Sequence, residues 1–398
     1  MENIAVYTLT SPLHDAEAVS AISDGFLASI FPSGGYDFRG GDFSDFGTHA
    51  LDLIFVRTGG TEGIFRSLLP RLRESGATEF RLLASDRSNS LAASMEILSF
   101  LRLNGIRGEI IHGSAAGVAG RIDELLRVAE AKSRLAGMRL GVIGRPSDWL
   151  IASGADYRSV KEKLGVELVD VPVSELTDRI AGAAADEAVP DVPMPENVRK
   201  AFPGALGIYR ALKSLVKDRG LGGFTLRCFD LLDAVGNTGC LALAKLNSEG
   251  MPAGCEGDVP ALLSMTVAKA VTGFTGFQAN PSRIDPASGE ILFAHCTIPL
   301  DIVDSVEYDT HFESGKGVGI RGHYPEGPVT VFKLSGDLSR HFLAEGELIR
   351  NCSGPDLCRT QIVVRLSPEE AGYFLREPIG NHHIILPGHC RTAIESII

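Results

Sequence analysis

Residues 51–61, Leu51-Asp52-Leu53-Ile54-Phe55-Val56-Arg57-Thr58-Gly59-Gly60-Thr61, carry the reading that decides the fold. A nearly continuous apolar run of six residues ends in a glycine turn, and an amphipathic stretch follows it to about Arg73. A strand apolar on both faces must be covered on both, so the run predicts a central strand of a parallel sheet and the stretch after it a covering helix. The same alternation extends to either side. Asn3–Leu9 reads as a strand and Asp15–Ile30 as a helix with apolar residues at spacings of three and four. Phe80–Ala84, the helix Asn89 to about Leu103, Gly108–His112 and the helix Val118 to about Leu135 continue the pattern. Strand–helix alternation of this kind predicts a doubly wound α/β unit.

A second alternation starts at Arg139. Leu140–Ile143 leads into the loop Gly144-Arg145-Pro146-Ser147-Asp148-Trp149, followed by the helix Tyr157–Leu164 and the strand Val166–Val171. Residues 186–195 hold Pro190, Pro193 and Pro195 and read as a linker or crossing segment. Glu196–Arg219 is a long helix and Phe224–Phe229 a strand. Beyond about Gly276 helical periodicity thins. Ile291–Ala294, Pro328–Leu334, Thr360–Leu366 and His382–Leu386 are β-rich, which predicts an antiparallel sheet or small barrel. The expected organisation is two flavodoxin- or Rossmann-like α/β units, residues 1–136 and 137–275, followed by a mostly antiparallel β domain, residues 276–398.

At 398 residues the chain exceeds what one core usually serves. Its 44% hydrophobic and 22% charged composition is that of a globular protein. A net charge of −12 argues against a partner in nucleic acid and against anionic membranes. No apolar stretch approaches the roughly 20 residues that span a bilayer, and the first strand lacks the layout of a secretion signal. The seven cysteines form no Cys-x-x-Cys pair, so neither a disulfide framework nor a structural zinc site is indicated. A cytoplasmic location is expected. Chemistry-bearing residues are unevenly spread, since every cysteine follows residue 227 and seven of ten histidines lie from His295 onward.

The segment Gly250–Pro260 (Gly-Met-Pro-Ala-Gly-Cys-Glu-Gly-Asp-Val-Pro) is the most informative for function. Glu256 and Asp258 stand among glycines where a strand gives way to a helix. Carboxylates there ligate a hard cation or move a proton; equally, they complement the helix dipole. His295 ends an apolar strand, where a satisfied core histidine is the commoner outcome, and His382 and His383 begin another. Trp149 lies in a loop after a strand, where ligands of α/β proteins bind, and reads either as a ring on which a ligand stacks or as packing. Arg227 ends a strand and is a second substrate-contact candidate. Gly113–Gly120 lacks a dinucleotide fingerprint, and the Thr58–Thr61 turn, which could cradle an anion, is more often only tight packing.

Four segments taken together resemble the L-fucose isomerase/L-arabinose isomerase family, over about residues 220–398. Cys255-Glu256-Gly257-Asp258 with its apolar helix resembles that family's metal-ligating glutamate segment. Phe274–Asn280 resembles the strand supplying a second acidic ligand. Ile291–Pro299 carries the Ala294-His295 pair that matches a histidine ligand, and Gly380-Asn381-His382-His383 matches the last ligand at His382. The resemblance implies an aldose–ketose isomerase acting on a free pentose, hexose or deoxyhexose through an enediol, with Glu256, His295 and His382 holding a divalent metal, Mn²⁺ foremost. It implies Glu256 and the residue at position 280 as the catalytic group, with Asp258 or Asp285 as the acid that could replace the one missing at Asn280; Trp149, Arg227 and His383 complete the expected site as substrate contacts. It also implies a homo-oligomer, a trimer or hexamer. The chain departs from the pattern at Asn280, which stands where the family has an acid and cannot accept a proton at neutral pH. That departure keeps open another carbonyl or enediol reaction on a sugar or sugar acid, and sugar binding without turnover.

Overall fold

The computed structural model describes residues 3–182 and 188–398. The chain divides into two compact units, one through Ser133 and the other from Arg134. In the first unit the strands are β1 (Ile4–Leu9), β2 (Asp37–Gly40), β3 (Leu51–Val56), β4 (Glu79–Ala84) and β5 (Arg107–Ile111). They form one sheet in the order β2-β1-β3-β4-β5, with every pairing parallel. β3 is central, and side chains alternate between its two faces. Ile54 and Val56 join Phe65, Leu69, Ile97 and Leu101 in one core, while Leu53 and Phe55 join Leu27, Val118, Ile122 and Leu125 in a second. Helices therefore cover both faces, as an all-parallel sheet requires. The edge strand β2 was not legible in the sequence: its four residues are partly exposed and carry no apolar run.

The second unit begins with β6 (Arg139–Ile143), β7 (Glu167–Val171), β8 (Gly223–Leu226) and β9 (Ala253–Cys255). These make a parallel sheet in the order β7-β6-β8-β9. Of the proline-rich stretch 186–195, residues 186 and 187 lie outside the described residues. Pro195 is the N-cap of the predicted helix Glu196–Arg219, which closes on Gly220 in the left-handed conformation. The helix contributes Ile208, Leu212 and Leu215 to the core beside Phe224 and Leu226 of β8. The helices Val173–Ala181 and Cys240–Ser248 were not anticipated; the latter is buried almost all round, so it shows no amphipathic period.

The rest of this unit holds β10 (Phe277–Asp285), β11 (Glu290–His295), the hairpin β12 (Ser305–Asp309) and β13 (Gly319–His323), then β14 (Gly327–Leu334), β15 (His341–Cys352), β16 (Thr360–Arg365) and β17 (His383–Pro387). Six of these close into an antiparallel barrel in the order β10-β11-β16-β15-β14-β17, with β17 pairing back to β10 through Phe277–Ile385 and Ala279–His383. Its interior is filled by alternate residues, among them Phe277, Ala279, Phe293, Val331, Ala344, Ile362 and Ile385. The architecture is α/β, with parallel-sheet units and an antiparallel barrel near the C-terminus. Among the described residues no helix is long and apolar enough to cross a membrane, and all seven cysteines are free.

Candidate functional site

β9 ends at Cys255, and the chain turns through two consecutive left-handed residues, Glu256 (φ 63°) and Gly257 (φ 71°). A Cβ on residue 257 would lie 2.4 Å from the Arg145 carbonyl oxygen, so only glycine fits. A left-handed glutamate costs about 1–3 kcal/mol and persists only where its surroundings fix it. Here they do: the Ser147 N–H donates to the Glu256 carbonyl (2.9 Å), and the Gly257 N–H to that of Leu226 (3.0 Å). Asp258 then caps the helix Val259–Thr272, its carboxylate accepting from the Ala261 N–H at 2.8 Å, with Pro260 in the first turn.

This turn aims the Glu256 side chain at two histidines. His295 ends β11, and His382 immediately precedes β17. Glu256 Oε1 lies 3.6 Å from His295 Nε2 and 3.4 Å from His382 Nε2. The two rings meet edge to face at 5.4 Å, and one donor atom from each of the three residues lies within 4.8 Å of the others. All three are buried. Glu256 Oε2 accepts from the Trp149 indole N–H at 2.7 Å. His382 Nδ1 donates to Asp258 Oδ2 at 2.9 Å, and Asp258 also faces the Lys333 ammonium at 3.3 Å. His295 Nδ1 is 3.0 Å from the Thr297 hydroxyl.

The electrostatics follow from this packing. Burial alone would raise the Glu256 pKa, but the close approach and charge of His295 and His382 outweigh it and hold the carboxyl well below the usual range. Burial pushes His382 down, yet Asp258 and Glu256 more than reverse this and raise it to about 9. For Asp258, burial opposes ionisation, while Lys333 and His382 bring it to about 2. In His295 burial wins over Glu256 and its pKa is lowered.

A divalent ion fits these donors on two observations. His382 Nε2 is buried without a hydrogen-bond partner, since its approach to Glu256 is out of line for one. The Asp258 bond also keeps Nδ1 protonated and aims Nε2 at the cluster, so that once Nε2 gives up its own proton its lone pair faces inward, the usual arrangement around a histidine ligand. One carboxylate with two imidazoles suits Mn²⁺, Fe²⁺, Co²⁺ or Zn²⁺.

The other anticipated residues are distributed around this cluster. Asn280 is on β10 opposite Ala294, next to His295 in register, and its Oδ1 accepts from the Asn381 amide at 2.9 Å. Trp149 is half exposed, with its ring edge-on to Phe229 at 4.8 Å and its N–H on Glu256. Arg227 is occupied in bracing the Trp149 loop, donating to Asp148 Oδ2 (2.8 Å), Asp230 Oδ1 (2.9 Å) and the Pro146 carbonyl (2.7 Å). His383 is fully buried; its partners are the Tyr373 hydroxyl and the Asn381 carbonyl, both at 3.1 Å, and burial lowers its pKa to about 3. Two residues went unread in the sequence. Lys333 is the polar centre of an apolar run, Val331-Phe332-Lys333-Leu334, and that position was the available signal. His311 stacks edge-on against Phe229 at 5.4 Å, and burial together with His295 lowers its pKa to about 4; nothing in its local pattern marked it.

Fold and site together define an α/β protein with a closed antiparallel barrel and a buried carboxylate–imidazole centre of the kind that holds a divalent cation. No protein-family model matches the chain. Over 285 residues it is 27% identical to the sulfoquinovose isomerase of Clostridium sp. (strain MSTE9), the matched stretch covering 67% of this chain and 60% of that protein. The chain thus spans less than two thirds of the length of this relative, a sugar isomerase.

Proposed function

We propose that this chain is a metal-dependent sugar isomerase, interconverting an aldose and a ketose by proton transfer between C1 and C2. The observation that carries the proposal is the convergence of Glu256, His295 and His382, from segments up to 126 residues apart, into one buried donor set. Similarity to a sulfoquinovose isomerase supports the same reaction class and a monosaccharide substrate. A divalent ion, Mn²⁺ in this reading, supplies polarisation of the sugar carbonyl and neutralises the developing oxyanion.

The chain's own residues do the rest. Glu256 stays ionised and contributes charge, with Oε2 held by Trp149 so that Oε1 faces the histidines. Asp258 positions His382 and fixes its tautomer. Trp149, half exposed beside Glu256, offers its ring face to the sugar. Glu256 is the proposed base for the carbon-bound proton. The strong hold on its negative charge makes it a weak one, so the reaction depends on close placement of the C–H bond. In this reading the protein works in the cytoplasm as a homo-oligomer, and residues 1–136, 137–275 and 276–398 act as successive domains.

A second reading is favoured by Asn280. Its amide carries no charge and no exchangeable carboxyl proton, and it is tied to Asn381. A site lacking that acid suits a related enediol reaction on a sugar or sugar acid. Metal analysis of the purified protein tests the centre. Deuterium exchange at sugar C1 and C2, followed by NMR with Mn²⁺ and a panel of pentoses, hexoses, deoxyhexoses and their acidic derivatives, tests the reaction. Protein that takes up no divalent metal refutes the first reading. Exchange without aldose–ketose conversion favours the second.

A further inference from the structure

Behind Asp258, on the side of Lys333, is a cavity of about 190 Å³ lined by Ser153, Pro260, Lys333, Gly336, Arg340 and Gly380, among others. The charged residues of its lining are Lys333 and Arg340, both cationic, and it includes no carboxylate. In a chain of net charge −12 that selection of sign is a property of the cavity, not of the protein.

Lys333 is a buried ion, with its side chain 1% exposed. An ammonium has three N–H donors. Among the described residues its acceptors are the two Asp258 oxygens, each at 3.3 Å, which is long beside the roughly 2.7–2.9 Å of a good charge-assisted bond. Donor capacity therefore remains, and the ammonium borders the cavity. Arg340 lines the cavity and is half exposed; its Nη2 donates to the Glu377 carbonyl at 3.0 Å and lies 3.9 Å from the Glu377 carboxylate, while its Nη1 has no hydrogen-bond partner among the described residues. Glycines shape the walls. A Cβ at Gly336 would lie 1.9 Å from the Gly154 carbonyl oxygen, so the 335–340 turn is pressed onto the 151–154 loop, backbone to backbone. Gly380 is left-handed (φ 71°) two residues before His382.

We propose that this cavity is an oxyanion site, accepting one sulfonate- or phosphate-type group between Lys333 and Arg340. A point charge with spare donors on one side and a guanidinium edge on the other match three oxygens around a tetrahedral centre. The volume admits such a group with bridging water. The anion would share Lys333 with Asp258, and through Asp258 it would be coupled to His382. The group could belong to a free inorganic anion or to the acidic substituent of a sugar; the chemistry is the same, and the proposal stands independently of the isomerase reading.

The test is calorimetric titration of the full chain with sodium sulfate and sodium phosphate at constant ionic strength, with chloride as reference. Arg340→Gln and Arg340→Lys are the variants, since Arg340 lies outside the proposed catalytic group and an unchanged anion-free melting temperature checks their fold. Sulfate or phosphate should bind the parent. Arg340→Gln should weaken binding about tenfold or more, as loss of a charged hydrogen bond implies, and Arg340→Lys should retain part of it. Hexoses bearing a 6-sulfonate or 6-phosphate are then compared with the neutral hexose. Tighter binding of the acidic sugar, with competition from sulfate, assigns the site to a substituent; sulfate binding without competition assigns it to a free anion. Sulfate and phosphate binding no better than chloride, together with equal affinity for acidic and neutral sugars, overturns the proposal, as does full affinity in Arg340→Gln. No arm depends on turnover, so failure of the isomerase reading leaves the result interpretable.

Discussion

Replacing Asp258 by Asn isolates the buried charge that links the helix, Lys333 and His382. Asparagine caps a helix as well as aspartate does, so the bond to the Ala261 N–H survives. What is lost is the charge facing an ammonium 1% exposed and the anchor of a fully buried histidine. Removing one partner of a buried pair typically costs about 3–5 kcal/mol. Discharging a lysine at pH 7 from its solution pKa costs a similar amount, about 4–5 kcal/mol. Burial already lowers the Lys333 pKa, which brings the expected loss toward the bottom of the range, about 3 kcal/mol. For a unit the size of Arg134–Ile398 that is a fall of roughly 6–12 °C in melting temperature. The weakened hold on His382 should also cost about 10–100-fold in divalent-metal affinity. Calorimetry for unfolding and titration calorimetry for the metal read the two effects separately. The decisive variant is Asp258→Asn combined with Lys333→Met, which removes both charges; it should recover much of the lost stability but none of the metal affinity. A double variant no more stable than Asp258→Asn alone would show that the pair is not the source of the loss.

Further outcomes follow from the same geometry. Trp149→Phe keeps the ring against Phe229 but deletes the N–H on Glu256, so turnover should fall about tenfold with melting temperature unchanged; unaltered turnover removes Trp149 from the site. Asn280→Asp adds a charge beside His295 in register and should tighten Mn²⁺ binding measured by calorimetry; unchanged affinity places residue 280 off the metal. In metal-free protein the raised pKa of His382, about 9, contributes stability that is complete below its unfolded value near 6.5 and lost as pH rises through 9. Asp258, lowered to about 2, contributes stability present above its unfolded value near 3.9 and lost as pH falls through 2. A metal-free melting curve flat from pH 7 to 10 contradicts the first assignment. Metal uptake must displace the His382 Nε2 proton, so affinity should rise with pH over that same window.

The elements legible in the sequence were those marked by a one-sided helical period or by a continuous apolar run. The helices Tyr157–Leu164 and Glu196–Arg219 show the first; β3 and the runs that became β11, β14, β16 and β17 show the second. Illegible were segments where neither signal was clear. The helix Cys240–Ser248 is buried on every side, the edge strand β2 is exposed, and β9 is three residues long. At the site, Glu256 stood out through its glycines, whereas His295 and His382 stood out only through the resemblance of their segments to the isomerase family, since a strand-end position by itself favours a core histidine. The dependence of His382 on Asp258, and of Asp258 on Lys333, could not be seen, because it joins β14 to a turn 75 residues earlier. Arg227 and His383 show the converse limit. Their residue types suit substrate contact, but only coordinates reveal that Asp148 and Asp230 already hold the one, and Tyr373 the other.

The closure of the barrel has a kinetic consequence. Its seam joins Phe277 to Ile385, and the donor set of Glu256, His295 and His382 straddles the same span. Neither can exist until the last strand docks, and ordering so long an intervening chain must precede the contacts that reward it. The seam and the centre should therefore form late, after the parallel sheet has condensed. Interactions absent from the folding transition state act on the rate of unfolding and leave the rate of folding nearly untouched. A cation seated among these three residues would then serve as a latch: folding would proceed at the same pace with or without it, while escape from the finished fold would become slower in proportion to how tightly the ion is held.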